Sequence, residues 1–430
     1  MKVLLMAYEC SPYRGSEWAV GWGRLLQAAR VAETHVITHE PNFAALTHAR
    51  EEGLLPPNVF FYTPEPDAKL REMEKKPALF AYNYTAYHHW QELAFPLAQK
   101  LHAEHGFALV HQVNVCTFRE PGYTWQLPIP YLWGPVGGSQ NFPLRFLSML
   151  PPVEAFKEAA RGFSNWFSLR KGRVQQAAKA AAVVIGANST NQHDYQKAFG
   201  REVGLLLETG LHRVDDPDRA RFEERVADAS AGRAEKPLRI LWSGELQTRK
   251  ALPLLLRALA SMQDVAWELR VLGDGPMRAR WQAEAAQLGI GERIEFLGRL
   301  PFSEAVAQMQ LAELFVFTSL RDTSGNVILE AMAAGVPVVT FHHQGAGDMV
   351  DDRSGIRLPV TEPAQAVRDF AEAIRALAAD PARLLALSYG ATERARDFLW
   401  DRNGDTINAI YHRLAIAAAA TPAENGAGRA

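Results

Sequence analysis

Residues 314–340 read LFVFTSLRDTSGNVILEAMAAGVPVVT, and the rest of the chain is legible outward from them. The run 315–318 is apolar and rich in aromatic and β-branched residues, as in a buried strand, and the polar loop 319–325 follows it. Ser324 or Thr323 then caps a helix expected over 326–334, Gly335 stops it, and 336–340 begins the next strand. That helix is apolar nearly all round, with Glu330 its one charge. An ionised carboxylate packed inside it costs several kcal/mol, on the order of 3–5, unless something hydrogen-bonds it. The partner is either structural, a buried Arg or a backbone N–H, or a pair of ligand hydroxyls. Asp322 precedes Glu330 by eight positions, and the N–H groups of Ser324, Gly325 and Asn326 lie between the two acids. A helix N-terminus offers free donors and partial positive charge, so an anion such as phosphate fits between them.

These residues resemble a known family, the retaining glycosyltransferases of the GT-B fold and family 4. The run Glu330-Ala331-Met332-Ala333-Ala334-Gly335-Val336-Pro337-Val338-Val339 matches the second half of that family's signature, and Asp322 stands where the family has its first Glu. The resemblance implies that Glu330 holds the ribose hydroxyls of a sugar nucleotide and that Asp322 approaches the donor sugar. It also implies two doubly wound Rossmann-like α/β domains facing across a cleft, with a C-terminal helix crossing back to the first.

Composition agrees with a chain of that kind. Over 430 residues, 48% are hydrophobic and 22% charged, enough for two or three cores. A net charge of −2 argues against a nucleic-acid partner. Cys10 and Cys116 fit neither a zinc spacing nor a disulfide framework, which suits a reducing compartment. The opening MKVLLMAYE turns polar too soon for a signal peptide, and no apolar run approaches the roughly 18 residues of a membrane span. A cytoplasmic location is expected, with peripheral contact at the inner membrane face.

Strand–helix alternation from 2–8 onward reads as a first domain over 1–212, buried strands lacking polar alternation as in a parallel sheet. After the first strand, Gly15, Gly21 and Gly23 lack the tight spacing of a dinucleotide-binding turn. By resemblance this loop belongs to the acceptor side of the cleft, making Gly15, Ser16 and Glu17 candidates, although Gly15 serving a turn and Ser16 a cap explains them equally. Gly137 and Gly138, after the strand 130–133, are placed on the cleft because glycine admits close backbone approach. Where many members of the family carry a catalytic-site histidine this chain has Gly134-Pro135, and His111, at the preceding strand end, is the substitute candidate. Residues 141–182 combine Phe142, Phe146, Phe163, Trp166 and Phe167 with Arg161, Arg170, Lys171 and Arg173, a composition that suits either a core or an anionic membrane surface.

The charged stretch 213–236 reads as linker and surface helix, and its Asp216-Pro217-Asp218 as solvated charge instead of a metal site. A second domain follows over 237–395. The resemblance assigns Arg249 and Lys250 to the donor diphosphate, with Glu245 where the family has Arg, and places Gly244, Arg299 and Leu300 with the nucleotide. A long amphipathic helix over 391–414 is expected to supply the return, with 396–416 taken as the segment that packs back on the first domain, and 417–430 is an expected disordered tail. The expected activity is transfer of a sugar from a nucleoside diphosphate sugar to a saccharide or lipid-linked acceptor, without metal or other cofactor. A non-catalytic nucleotide-sugar-binding protein, an inverting transferase and a sugar-nucleotide epimerase are the alternatives.

Overall fold

The computed structural model describes residues 1–75, 84–215, 220, 222–224 and 236–420. Two parallel sheets organise it. The first runs β3-β2-β1-β4-β5-β6-β7, from β1 (Lys2–Ala7), β2 (Glu33–Ile37), β3 (Val59–Tyr62), β4 (Leu109–Asn114), β5 (Tyr131–Val136), β6 (Val183–Gly186) and β7 (Gly204–Leu205). The second runs β10-β9-β8-β11-β12-β13, from β8 (Leu238–Ser243), β9 (Trp267–Leu272), β10 (Ile294–Gly298), β11 (Leu314–Phe317), β12 (Val338–Phe341) and β13 (Gly355–Leu358). Central strands such as β4, β5, β11 and β12 are buried at every position, because helices cover both faces. Each sheet reverses its winding once, at β1/β4 and at β8/β11, and crevices open at the carboxyl ends of strands at such points.

The first sheet carries α1 (Glu17–Ala29), α2 (Phe43–Glu51), α3 (Ala68–Glu74), α4 (Tyr84–His105), α5 (Pro152–Ser168), α6 (Gly172–Ala180) and α7 (Ser189–Phe199). The second carries α8 (Leu252–Ala260), α9 (Arg278–Gln287), α10 (Phe302–Leu311), α11 (Val327–Ala333), α12 (Gln344–Met349), α13 (Pro363–Ala379) and α14 (Pro381–Arg396). The fold is GT-B, as the motifs imply.

Three departures from the sequence reading matter. Phe142 and Phe146, numbered in the first half, are buried in the core of the second domain, where Phe146 meets Phe341 edge to face. Phe222, within the stretch read as linker, joins the same core. The single helix expected over 391–414 is two, α14 and α15 (Trp400–Ala420). They break because the chain crosses between domains there: Leu211 N–H donates to Phe398 O and Trp400 N–H to Leu211 O, both at 2.9 Å. Then α15 lies on α1, with Arg24 Nη2 donating to Asn403 Oδ1 at 2.7 Å and Asn408 Nδ2 to Gln27 O at 2.9 Å. Residues 417–420, expected in the tail, continue α15; the remainder of the tail and Asp216-Pro217-Asp218 lie outside the described residues. Among the described residues no helix is long and apolar enough to cross a membrane.

Candidate active site

The second sheet's crevice is built by the loops after β8 and β11. Thr318 Oγ1 locks them together, donating to Lys250 O at 2.7 Å and accepting from Trp242 Nε1 at 3.0 Å. Leu320 N–H donates to Arg249 O at 2.9 Å. Held this way, Lys250 Nζ hydrogen-bonds Asp322 Oδ2, and Arg249 Nη1 lies 3.4 Å from the same oxygen. Arg249 Nη1 also donates to Arg321 O at 3.0 Å, and Ser319 Oγ to Asp322 Oδ2 at 3.3 Å. Burial by itself would raise the Asp322 carboxyl, but the two cations outweigh it and hold it at about 2. The same burial lowers the Lys250 ammonium, against the pull of Asp322. So the three residues the sequence singled out converge, and in the absence of ligand the two cations face a carboxylate.

Beyond Asp322 the chain turns into α11. Neither Ser324 nor Thr323 caps it, correcting that expectation: Asn326 occupies the cap position without a side-chain cap bond, and Ser324 Oγ donates to Asn326 Oδ1 at 3.1 Å. Thr323 is spent on the opposite domain. Among the described residues the N–H groups of Ser324, Gly325 and Asn326 have no acceptor. Gly325 has φ 84° and a Cβ there would stand 3.0 Å from Phe317 Cζ, so glycine is what lets this loop press on β11. Glu330 follows one turn into the helix. Its carboxylate has no hydrogen-bond partner among the described residues, and burial raises its pKa. Among the described residues neither a buried Arg nor a backbone N–H reaches it, and the side chain is half-buried, so its oxygens stay open to water or to a ligand.

The first domain closes on this loop. A Cβ on Gly137 would lie 2.8 Å from Thr323 Cγ2 and one on Gly345 2.1 Å from Thr323 O. Gln140 Nε2 donates to Thr323 Oγ1 at 2.5 Å and Asn188 Nδ2 to Thr323 O at 2.8 Å. Gly138, at φ 98°, donates its N–H to Gln140 Oε1 at 2.9 Å. Gln344 accepts the Asp322 N–H at 2.8 Å and donates to Asn141 O at 3.1 Å. Gly137 and Gly138 are thereby brought to the cleft. Gln140, Asn188 and Gln344 are neighbours that sequence reasoning missed, amides with no local pattern to distinguish them.

At the entrance to α1, Gly15 is exposed with open space around it, and Ser16 sits at φ 58° with no cap bond. Glu17 differs: its two carboxylate oxygens accept the Cys116 N–H at 3.1 and 3.2 Å. Burial, with Glu208 and Glu9 nearby, pushes its pKa up to about 8. Glu208, just beyond β7, is a further acid here that the sequence reading did not single out. It is buried, its Oε2 has no partner, its side chain bonds Ser324, and burial together with the charge of Asp322 pushes it up to about 7. A lone acid beside Thr209-Gly210 was the available signal.

One candidate falls away from the cleft. His111 is fully buried, with Nδ1 2.6 Å from Tyr411 Oη and Nε2 bonded to Gly134 O. Burial and the charge of Arg24 lower its pKa to about 3, so it is a neutral structural group pinned under α15 and reaches no substrate. Arg299 is exposed without a polar partner among the described residues, and Leu300 packs against the second domain's core. Gly244, at φ 159°, stays beside Lys250, 3.6 Å from its Cε when a Cβ is built, and Glu245 is exposed. Among the described residues no group of three or more His, Cys, Asp or Glu is placed to hold a metal ion.

This arrangement has counterparts. Residues 224–394 match the family described as "Glycosyl transferases group 1". D-inositol 3-phosphate glycosyltransferase 1 of Catenulispora acidiphila is 34% identical over 275 residues, 59% of this chain and 61% of that protein. The 2-deoxystreptamine glucosyltransferase of Streptomyces kanamyceticus is 27% identical over 47% of this chain and 51% of its own. The chain thus spans about half to three fifths of the length of these relatives. Likeness of fold extends further than likeness of sequence. Sucrose-phosphate synthase from Thermosynechococcus elongatus superposes with a TM-score of 0.64 at 18% identity, over 97% of this chain and 99% of that one. Anabaena HepE in complex with UDP does so with 0.59 at 16%, over 96% and 100%. The group 1 domain contains Arg249, Lys250, Asp322 and Glu330, so the polar cluster lies wholly within the matched stretch.

Proposed function

We propose that the protein is a retaining glycosyltransferase of family 4 that moves a sugar from a nucleoside diphosphate sugar to a saccharide or lipid-linked acceptor, at a peripheral membrane surface on the cytoplasmic side. The observation that carries this is the pair of open polar groups on one loop: among the described residues the Glu330 carboxylate and the N–H groups of Ser324, Gly325 and Asn326 have no protein partner, and they lie next to the paired cations. Ribose hydroxyls satisfy Glu330. The diphosphate takes the N–H groups and competes with Asp322 for Arg249 and Lys250, each charge-assisted bond contributing about 1.5–3 kcal/mol. Asp322, released in part, then accepts a hydroxyl of the donor sugar. HepE in complex with UDP-glucose supports a uridine donor as the first to try.

For the transfer, the bond from the anomeric carbon to the phosphate oxygen breaks as the acceptor oxygen bonds the same face. The acceptor proton passes to the leaving phosphate, whose charge Arg249 and Lys250 stabilise. No metal or redox cofactor takes part in this scheme.

A panel of UDP-, GDP- and ADP-sugars in thermal shift identifies the donor, since ligand at 100 times its Kd stabilises by about 2.7 kcal/mol. An α-linked donor should then give an α-linked product in the presence of chelator. A β-linked product by proton coupling constants, or activity that returns only with magnesium, overturns the scheme. Donor binding with neither transfer nor hydrolysis makes the protein a nucleotide-sugar binder.

A further inference from the structure

Helix α5 is turned inside out. Its polar residues face the protein: Glu158 bonds Arg321, and Asn165 donates to Ser139 O at 3.0 Å and Asn141 Oδ1 at 2.7 Å. Arg161, with a buried Nε, lies on this side as well. Its apolar residues face outward. Val153, Phe156, Phe163 and Phe167 recur at helical spacing along one stripe and all are exposed, Phe156 by 74% and Phe163 by 70%. A helix on a globular core does the opposite, and contiguous exposed apolar surface of this size marks a binding face. No described residue covers the stripe.

The charges around it indicate what does. Lys157 on the helix, Arg145 in the turn before it and Arg170 and Lys171 directly after it are all exposed. Of the acids on the helix, Glu154 is ion-paired with Lys157 at 2.8 Å and Glu158 is turned inward to Arg321. Trp166 stacks between Phe163 and the Arg170 guanidinium, which sits 4.2 Å from its ring centre. So a chain of net charge −2 sets aromatic rings on one helix face and exposed basic groups in the segments that precede and follow that helix. Two copies meeting through this face would bring like charges together. A bilayer with anionic headgroups offers both the apolar layer and the opposite charge.

We propose that the outer face of α5 lies in the headgroup–acyl boundary of an anionic membrane, with Phe156, Phe163 and Phe167 inserted and Arg145, Arg170 and Lys171 on the lipid phosphates. This extends the membrane contact of the proposed function and names its surface. Through Glu158 and Arg321 the seated helix is tied to the loop carrying Asp322, so the cleft is held at the membrane surface where a lipid-linked acceptor would be presented.

Vesicle binding tests this without donor or acceptor, so its failure leaves the transferase reading standing. The full chain is sedimented with vesicles of phosphatidylglycerol and phosphatidylcholine, and with phosphatidylcholine alone. Binding should be at least about tenfold stronger to the former and weaken with salt. Replacing Phe156, Phe163 and Phe167 together by Ser should lower it by at least about tenfold, and Arg170→Glu with Lys171→Glu should remove the preference for phosphatidylglycerol. As a check independent of the triple variant, an environment-sensitive fluorophore on Phe163→Cys should shift to the blue on the anionic vesicles. Absence of binding, equal binding by the triple variant, or no spectral shift overturns the proposal. A dimer in solution that the triple variant converts to monomer also overturns it, assigning the face to a second copy.

Discussion

The Arg321 guanidinium grips the Glu158 carboxylate with two hydrogen bonds, 2.9 Å from Nε and 2.7 Å from Nη2, and so ties α5 to the loop that carries Asp322. Both side chains are largely shielded from solvent, and the neighbouring Arg161 and Arg119 add positive charge on the same side. Removing Glu158 therefore leaves a guanidinium among like charges. Glu158→Gln and Arg321→Gln should each destabilise by about 1–3 kcal/mol, and the double variant by clearly less than their sum. Denaturant unfolding of the four proteins measures this. Additive losses would mean that the pair is not coupled and that the two domains meet here without an energetic link.

In the proposed scheme Asp322 competes with a donor for Arg249 and Lys250, because its Oδ2 already contacts both cations. Asp322→Asn should tighten a free nucleoside diphosphate by roughly tenfold, the loss of one competing charge-assisted bond, and leave the bare nucleoside unchanged. Transfer should nevertheless fall, since the amide no longer accepts from the sugar as a carboxylate does. Titration calorimetry with diphosphate and nucleoside, beside a rate assay, separates these effects. A weaker diphosphate affinity would show that Asp322 organises the cations instead of competing for them.

What was legible beforehand divides by the range of the interactions involved. The unit from β11 to β12 was legible to within a residue or two, because an apolar run, Gly335 and Pro337 are local signals. The resemblance put Arg249, Lys250 and Asp322 at one site, while the pairing of both cations with Asp322 was not anticipated. Strand β3 was not anticipated: it is an edge strand, only Val59 of its four residues is buried, and polar alternation is weak. His111 misled because what makes it structural, Tyr411, lies 300 residues away. The break between α14 and α15 is set by Leu211 from the other end of the cleft, which no periodicity in 391–414 encodes. Helix α5 shows the limit of pattern reading most clearly. Its stripe of aromatic residues says that one face is apolar, while only the bonds of Glu158 and Asn165 say which face is out.

Glu330 pairs with nothing among the described residues, and its role should show as a split between binding and stability. If it accepts ribose hydroxyls, Glu330→Gln weakens the donor and the free nucleoside diphosphate alike, by about 1–3 kcal/mol. Stability should hold or rise slightly, because the folded state keeps a half-buried carboxylate partly away from water and the amide lowers that cost. Affinity and melting temperature are measured on the same preparations. A lowered melting temperature with unchanged nucleotide affinity would make Glu330 a structural residue and leave the ribose without its acceptor.

His111 supplies the last expectation, and its sign follows from its surroundings. Buried between Tyr411 and Gly134 O, with the charge of Arg24 acting on it, the imidazole stays neutral down to about 3, whereas in the unfolded chain it titrates near 6.5. The unfolded state thus binds more protons between those values. The stability this residue contributes is complete above about 6.5 and is lost progressively as pH falls from there toward 3. A variant such as His111→Gln should lower stability at neutral pH by about 2–4 kcal/mol, through lost bonds to strand β5 and helix α15, and flatten the acid limb of the stability curve. Tyr411→Phe should destabilise by about 1 kcal/mol, because it removes the donor to Nδ1 alone. Neither change should alter the rate of transfer per folded molecule or the pH at which that rate is half-maximal. A displaced pH–rate profile in His111→Gln at a temperature where the variant is folded would return this residue to the catalytic set.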